Sequence, residues 1–250
     1  IIIFGGSGYV GKNLIRAFAT GGYADLSYVH KAIEKIAPYL SGYTVIVDKS
    51  TVPVGTARDV KKLIKKKNPD ADFDIASNPE FLREKSANED FINSEIIIFG
   101  GLADNCKKLS YFYKNHTNCK CKEYTITDGV SASLIKYTIN SFLALKVTFF
   151  NEIKFVFDSL NSKDDWLNFI SALSKDKRIG DSHMNVPGPD GDFGFGGHCF
   201  PKDVLATIRS SVMSAGSRFT LLEEAYEYNQ SLRKETTWRW KSLQEMLILN

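Results

Sequence analysis

No apolar run in these 250 residues approaches the roughly 18 that a membrane-spanning helix needs. The opening Ile1-Ile2-Ile3-Phe4 is too short for a signal-peptide core and lacks a basic flank. No membrane partner is expected. Cysteine is scarce: four, irregularly spaced, do not make a disulfide framework. That predicts a reducing compartment, the cytoplasm. Charge of one sign is lacking too. With 32 basic and 29 acidic residues the net charge is +3, too balanced to predict a nucleic-acid partner. His116, Cys119 and Cys121 lack the spacing of a structural zinc site, so no metal is expected. No Tyr is followed four residues later by Lys, which removes the tyrosine–lysine catalytic pair.

What is present reads as α/β. Ile1-Ile2-Ile3-Phe4 runs into Gly6-Ser7-Gly8-Tyr9-Val10-Gly11, and residues 12–18 continue at helical period. Strand, G-x-G-x-x-G and helix together are a dinucleotide-binding context. Gly6 would turn the chain, Gly8 would admit a pyrophosphate, and Gly11 would let helix and strand pack closely. Gly5, Gly8 and Gly11 also fit G-x-x-G-x-x-G, so the glycines alone leave a choice. The acidic residue expected about 20 positions on has no strand to carry it. Asp25 opens a helical pattern instead, and residues are expected to be missing near 20–24.

Further strands are predicted at 43–47, 73–76 and 96–99, with helices at 58–67 and 104–113. Lys61 to Lys67 reads as a solvated helix end. Glu80 and Glu84 would share a face in a helical turn, either as a proton-handling pair or as two surface carboxylates. Residues 128–160 read as one long apolar helix carrying Lys136 and Asn140 one turn apart. Those two must find partners or reach solvent. Phe193-Gly194-Phe195-Gly196-Gly197 then leads to His198 and Cys199, with Lys202 and Asp203 behind. This is either a Gly-rich turn with an inert thiol or a substrate bed with a nucleophile at its edge.

These motifs in order resemble the UDP-glucose/GDP-mannose dehydrogenase family. The resemblance rests on G-S-G-Y-V-G at 6–11, K-S-T-V-P-V-G-T at 49–56 and N-P-E-F-L-R-E at 78–84. It continues with K-Y-T-I-N at 136–140, F-F-N-E at 149–152 and F-G-F-G-G-H-C-F-P-K-D at 193–203. It implies a Rossmann-like parallel sheet, partly missing, followed by a long central helix and a helical domain. The corresponding domains are 1–127 for NAD and 128–250 for dimerisation and substrate, with the C-terminal UDP-binding domain absent.

The implied activity is NAD-dependent two-step oxidation of UDP-glucose to UDP-glucuronate through a thiohemiacetal and thioester on Cys199. GDP-mannose and UDP-N-acetylhexosamine oxidation, or an inactive scaffold, are the alternatives. By motif match, Lys136 and Asn140 would stabilise the oxyanion, and Asp203 would position water or the lysine. Glu84 would act as base, with Thr51 holding water. Glu80, Phe81, Leu82 and the loop Phe193, Gly194, Phe195, Gly196, Gly197 would bind substrate, and Arg178 would reach it from a neighbouring subunit. Gly6, Ser7, Gly8, Tyr9, Val10, Gly11, Thr51, Glu84 and Lys202 would bind NAD. The helix at 128–160 would form a homodimer. His198 departs from the family, which has a small residue there.

Overall fold

The computed structural model describes residues 1–4, 26–83 and 86–233. The glycine run 6–11, the region 20–24, Asp25 and Glu84 lie outside the described residues. The chain divides into two compact units, Ile1–Thr138 and Ile139–Asn250.

The first unit is built on a five-stranded sheet in the order β1 (Ile2–Phe4), β2 (Thr44–Asp48), β3 (Phe73–Ser77), β4 (Ile97–Gly100), β5 (Tyr124–Thr127). Side chains alternate across a strand, and β2 shows what that does. Ile46 packs with α1 (Ser27–Ile36) and α2 (Thr56–Lys67) on one face, through Val29, Ile33, Val60 and Ile64. Val45 and Val47 pack on the other face against Cys106, Leu109 and Tyr113 of α4 (Ala103–His116). Burial on both faces is why β2 is a continuous apolar run. In α2 the buried positions are four apart, so the lysines at 61, 62, 65, 66 and 67 point outward. Lys65 also satisfies two loop carbonyls, donating to Pro69 O at 2.9 Å and Ala71 O at 2.8 Å.

β1, β2 and β3 are parallel, but β4 runs antiparallel to β3, pairing Ser77 with Gly100. Among its described residues the connection 78–96 carries one helix, the six-residue α3 (Ala87–Ile92). That helix is too short to return the chain along β3, so the chain re-enters from the end where β3 stopped. β5 is again parallel to β4. It is a half-exposed strand that the sequence reading did not anticipate.

α5 (Gly129–Ser159) is a 31-residue helix, about 46 Å at 1.5 Å per residue. No Pro or Gly interrupts it beyond its first residue. Asp128 caps its start, accepting from the N–H groups of Val130 at 2.8 Å and Ser131 at 2.9 Å. Gly100 fits the helix to the sheet. A Cβ there would lie 2.4 Å from Ala132 Cβ and 2.7 Å from Asp128 O.

In the second unit, α6 (Trp166–Ser174) packs on α5 through Phe150, Trp166 and Ile170. α7 (Phe200–Ala215) and α8 (Thr220–Leu232) share a core of Ala144, Phe195, Val204 and Leu222. The loop residue Phe195, 2% exposed, is part of that core.

Gly100→Ala should destabilise the protein by about 1–3 kcal/mol, because the clash is with backbone as well as side chain. A thermal melt unchanged from wild type would contradict this packing.

Candidate active site

The first unit gathers polar residues where its parallel strands end, the usual ligand side of an open α/β sheet. Asp48 closes β2 and is 4% exposed. Its Oδ1 accepts from the Ser50 N–H at 2.8 Å. Burial pushes its carboxyl up to about 7, and the Ser50 bond only partly offsets this. Thr51 follows, half-buried.

Asn78 closes β3 and is 1% exposed. Its N–H donates to Asp48 O at 2.7 Å, and its Nδ2 donates to Ile98 O at 2.9 Å. Its Oδ1 accepts from Tyr113 at 2.5 Å and from Lys49 Nζ at 3.2 Å. The segment that carries Glu80 is therefore pinned at its origin. Burial pushes the Tyr113 phenol up to about 12, which keeps it a donor. Burial also draws the Lys49 ammonium below its usual value, against the pull of the Glu80 carboxylate. Lys49, Glu80, Phe91 and Tyr113 line a cleft that Phe81 and Leu82 also border.

The helical turn expected at 80–84 is not formed over its described residues. Residues 78–83 are irregular, with Pro79 at the start. Glu80 instead turns back, its Oε2 accepting from the Leu82 N–H at 2.6 Å. Phe81 is half-buried and meets Lys136, whose Nζ lies 5.0 Å from the ring centre. Lys136 is 4% exposed, so it is not a solvent-facing lysine. The ring face supplies a partner that water would otherwise provide.

The second unit holds the thiol. Cys199 is the N-cap residue of α7, at the helix end where the dipole favours negative charge. One turn on, Asp203 is 2% exposed and organises its neighbours. It accepts from Asn140 Nδ2 at 2.6 Å and from the Lys202 ammonium. Asn140, 6% exposed, is likewise committed to the interior. Lys202, Asp203 and Asn140 are thus brought together, with Cys199 at the head of the same helix. His198 is half-buried in the preceding turn.

The loop before Cys199 is tied to two asparagines. Gly194 N–H donates to Asn151 Oδ1 of α5 at 2.9 Å. Phe195 donates from its N–H to Asn229 Oδ1 of α8 at 2.6 Å, and its carbonyl accepts from Asn229 Nδ2 at 3.0 Å. Gly194 has φ 74°, and a Cβ there would meet Asn229 Oδ1 at 2.3 Å. A Cβ on Gly196 would meet the Arg233 guanidinium at 2.4 Å, whereas Gly197 has open space beside it. Phe193 stacks on Phe155, ring centres 5.7 Å apart. Arg178 lies apart from this group, exposed and paired to Asp176 through both carboxylate oxygens. That pairing holds the Asp176 carboxyl below its usual range.

Sequence reasoning did not single out Asp48, Tyr113, Asn229 or Arg233. Nothing in the local pattern Glu-Tyr-Asn-Gln marked Asn229.

Comparison with known proteins bears on what this arrangement is. Residues 18–117 match the family model for the UDP-glucose/GDP-mannose dehydrogenase family, NAD binding domain, and residues 130–231 match its central domain. The chain belongs to the UDP-glucose/GDP-mannose dehydrogenase family. It is 39% identical over 192 residues to a UDP-glucose 6-dehydrogenase of Rhizobium meliloti, covering 76% of this chain and 42% of that one. It is 38% identical over 213 residues to the UDP-glucose 6-dehydrogenase TuaD of Bacillus subtilis, covering 85% and 44%. The structure matches a UDP-glucose dehydrogenase from Pyrobaculum islandicum with TM-score 0.74 and 34% identity, covering 84% of this chain and 47% of that one. The chain thus spans less than half the length of these relatives.

The family's cofactor is NAD, and the described residues fit it. β1 and β2 are parallel and end in register at Phe4 and Asp48. The glycine run follows one strand, and the hydroxyls of Ser50 and Thr51 follow the other.

Two outcomes test this site. The Asp48 carboxyl is raised in the fold, so the unfolded chain loses its proton first. Stability must fall as pH rises from about 4 to about 7, then level off. Asp48→Asn should remove that fall, its melting temperature gaining on wild type across the window. A gain of equal size at pH 4 and pH 8 would contradict it. Asp203→Ala strands the donors of Asn140 and Lys202 and should cost about 3 kcal/mol. In urea this lowers the midpoint with the slope unchanged.

Proposed function

We propose that this chain carries the catalytic core of an NAD-dependent enzyme that oxidises UDP-glucose to UDP-glucuronate in two steps. The observation that supports it most is Cys199 at a helix N-cap, directly after a glycine loop held by buried amides, with Asp203 one turn further on. That arrangement favours a positioned thiol over one in a loose turn.

NAD, when bound, accepts the hydride in each oxidation. In the first step the 6-hydroxyl gives up a proton to Glu84, or to the water that Thr51 holds, as the C–H bond breaks. The Cys199 thiolate then attacks the aldehyde carbon and a C–S bond forms. Lys136 and Asn140 stabilise the resulting oxyanion. The second C–H bond breaks, leaving a thioester. Water activated by Glu84 attacks it, the C–S bond breaks, and the carboxylate and free thiol are released. Asp203 keeps Asn140 and Lys202 oriented, and Lys202 would help hold NAD.

The Glu80, Phe81 and Leu82 segment and the loop 193–197 bind the sugar. Arg178, exposed here, reaches the substrate of a second copy. α5 supports a homodimer, since Leu134, Phe142 and Phe149 are more than half exposed on it. Among the described residues no helix is long and apolar enough to cross a membrane. The four cysteines are free thiols, which suits the reducing cytoplasm.

NADH yield against a panel of nucleotide sugars tests the reading. Two NADH per UDP-glucose are expected. A preference for GDP-mannose or a UDP-N-acetylhexosamine would change the substrate but keep the mechanism. No NADH from any sugar would mean a scaffold. Cys199→Ser should stop uronate formation, and unchanged uronate production would sink the thioester route.

A further inference from the structure

Asn229 in the last turn of α8 and Arg233, the residue just after the helix, lie against the loop that precedes Cys199. Asn229 is 1% exposed and bonds both polar groups of Phe195, as a second peptide unit would. Arg233 spans the same loop from outside. Its Nη2 bonds Asp190 Oδ2 at 2.8 Å and lies 3.7 Å from Asp192 Oδ2. Its Nη1 reaches Phe193 O at 3.5 Å. Burial alone would raise the Asp190 carboxyl, but the bonds from Arg233 and from the Asp192 N–H outweigh it and hold it low. Strap and loop are matched sterically as well, since any side chain at 194 or 196 would collide with one of the two.

We infer that Asn229 and Arg233 are positioning residues that fix the shape of the 190–197 loop and thereby set its affinity for the sugar nucleotide. The inference rests on the proposed dehydrogenase reading for its substrate, and on geometry alone for the clamp. Neither side chain need touch substrate. Their effect is to keep Gly194 and Phe195 in one conformation, so that no binding energy is spent ordering them.

The test uses the full-length enzyme and the variants Asn229→Ala, Arg233→Met and Arg233→Lys. Each of the first two should raise KM for the sugar nucleotide about tenfold, a loss of about 1.4 kcal/mol. KM for NAD and the yield of two NADH should be unchanged. Arg233→Lys keeps the charge but not the two-pronged reach, and should fall between. Hydrogen exchange should quicken at the amides of Gly194 and Phe195 in Asn229→Ala while the α7 amides keep wild-type rates. Equal rises in both KM values, or wild-type exchange in 190–197, would overturn the clamp. If Asn229→Ala does not fold, Arg233→Met decides through KM and through exchange across 190–193. If no nucleotide sugar is oxidised by the wild type, the function fails, and exchange still decides the clamp.

Discussion

Burying an irregular loop obliges its backbone to find hydrogen-bond partners, and the second unit is arranged around that obligation. Phe195 sits in the core with Val204 and Leu222, out of reach of water. A peptide unit there loses about 1–3 kcal/mol for each group left unpaired. Asparagine meets the need because its amide carries a donor and an acceptor in the geometry of a peptide. Asn151 also donates to Val147 O on its own helix at 2.8 Å, so its amide is used in both directions. With the loop fixed from α5 and α8, the start of α7 is fixed too, and Cys199 occupies that start. The position of the thiol is thus a consequence of satisfied amides several residues away.

Buried charge is handled differently in the two units. Asp203 receives an amide and an ammonium, so its carboxylate is compensated where it sits. Asp48 receives the N–H and the side chain of Ser50, too little to offset desolvation, and it keeps its proton to near neutrality. Lys136 of the first unit takes a third route. It lies over the ring of Phe81. Ring faces stabilise a cation by only ~0.5–2 kcal/mol, without the neutralising effect of a carboxylate. Such a cation keeps most of its field for an anion that arrives or forms beside it, as the proposed oxyanion role of Lys136 requires.

The legible parts of the fold were those in which one physical term dominates. β2 and β4 are apolar because both their faces are covered, and α5 is long because nothing in its sequence stops it. β5 escaped notice because Tyr-Thr-Ile-Thr at the sheet's edge is half-exposed and too short to show a period. The antiparallel turn of β4 depends on how little helix the 78–96 connection contains, which local pattern does not reveal. The pair at 80 and 84 suggested a helical turn by spacing alone. The bond from the Leu82 N–H back to Glu80 outweighs that preference over the described residues. Motif order brought Cys199, Asp203, Lys136 and Asn140 forward as candidates, and the fold buries the last three. Asn229 was not, since an amide within Glu-Tyr-Asn-Gln looks like an ordinary exposed helix turn until the loop is folded against it.

The glycines at 194, 196 and 197 show why a glycine-rich stretch resists interpretation from sequence. All three suggest a bed for a ligand, because glycine admits close approach. The space at two of them is already taken. Gly194 yields its Cβ position to Asn229 and Gly196 yields its own to Arg233, both from within the protein. At Gly197 the space is open and φ is 71°, a conformation that side chains resist. Of the three, this position, two residues before Cys199, is the one with open space beside it. The first two glycines make the loop rigid, and the third leaves it accessible beside the thiol.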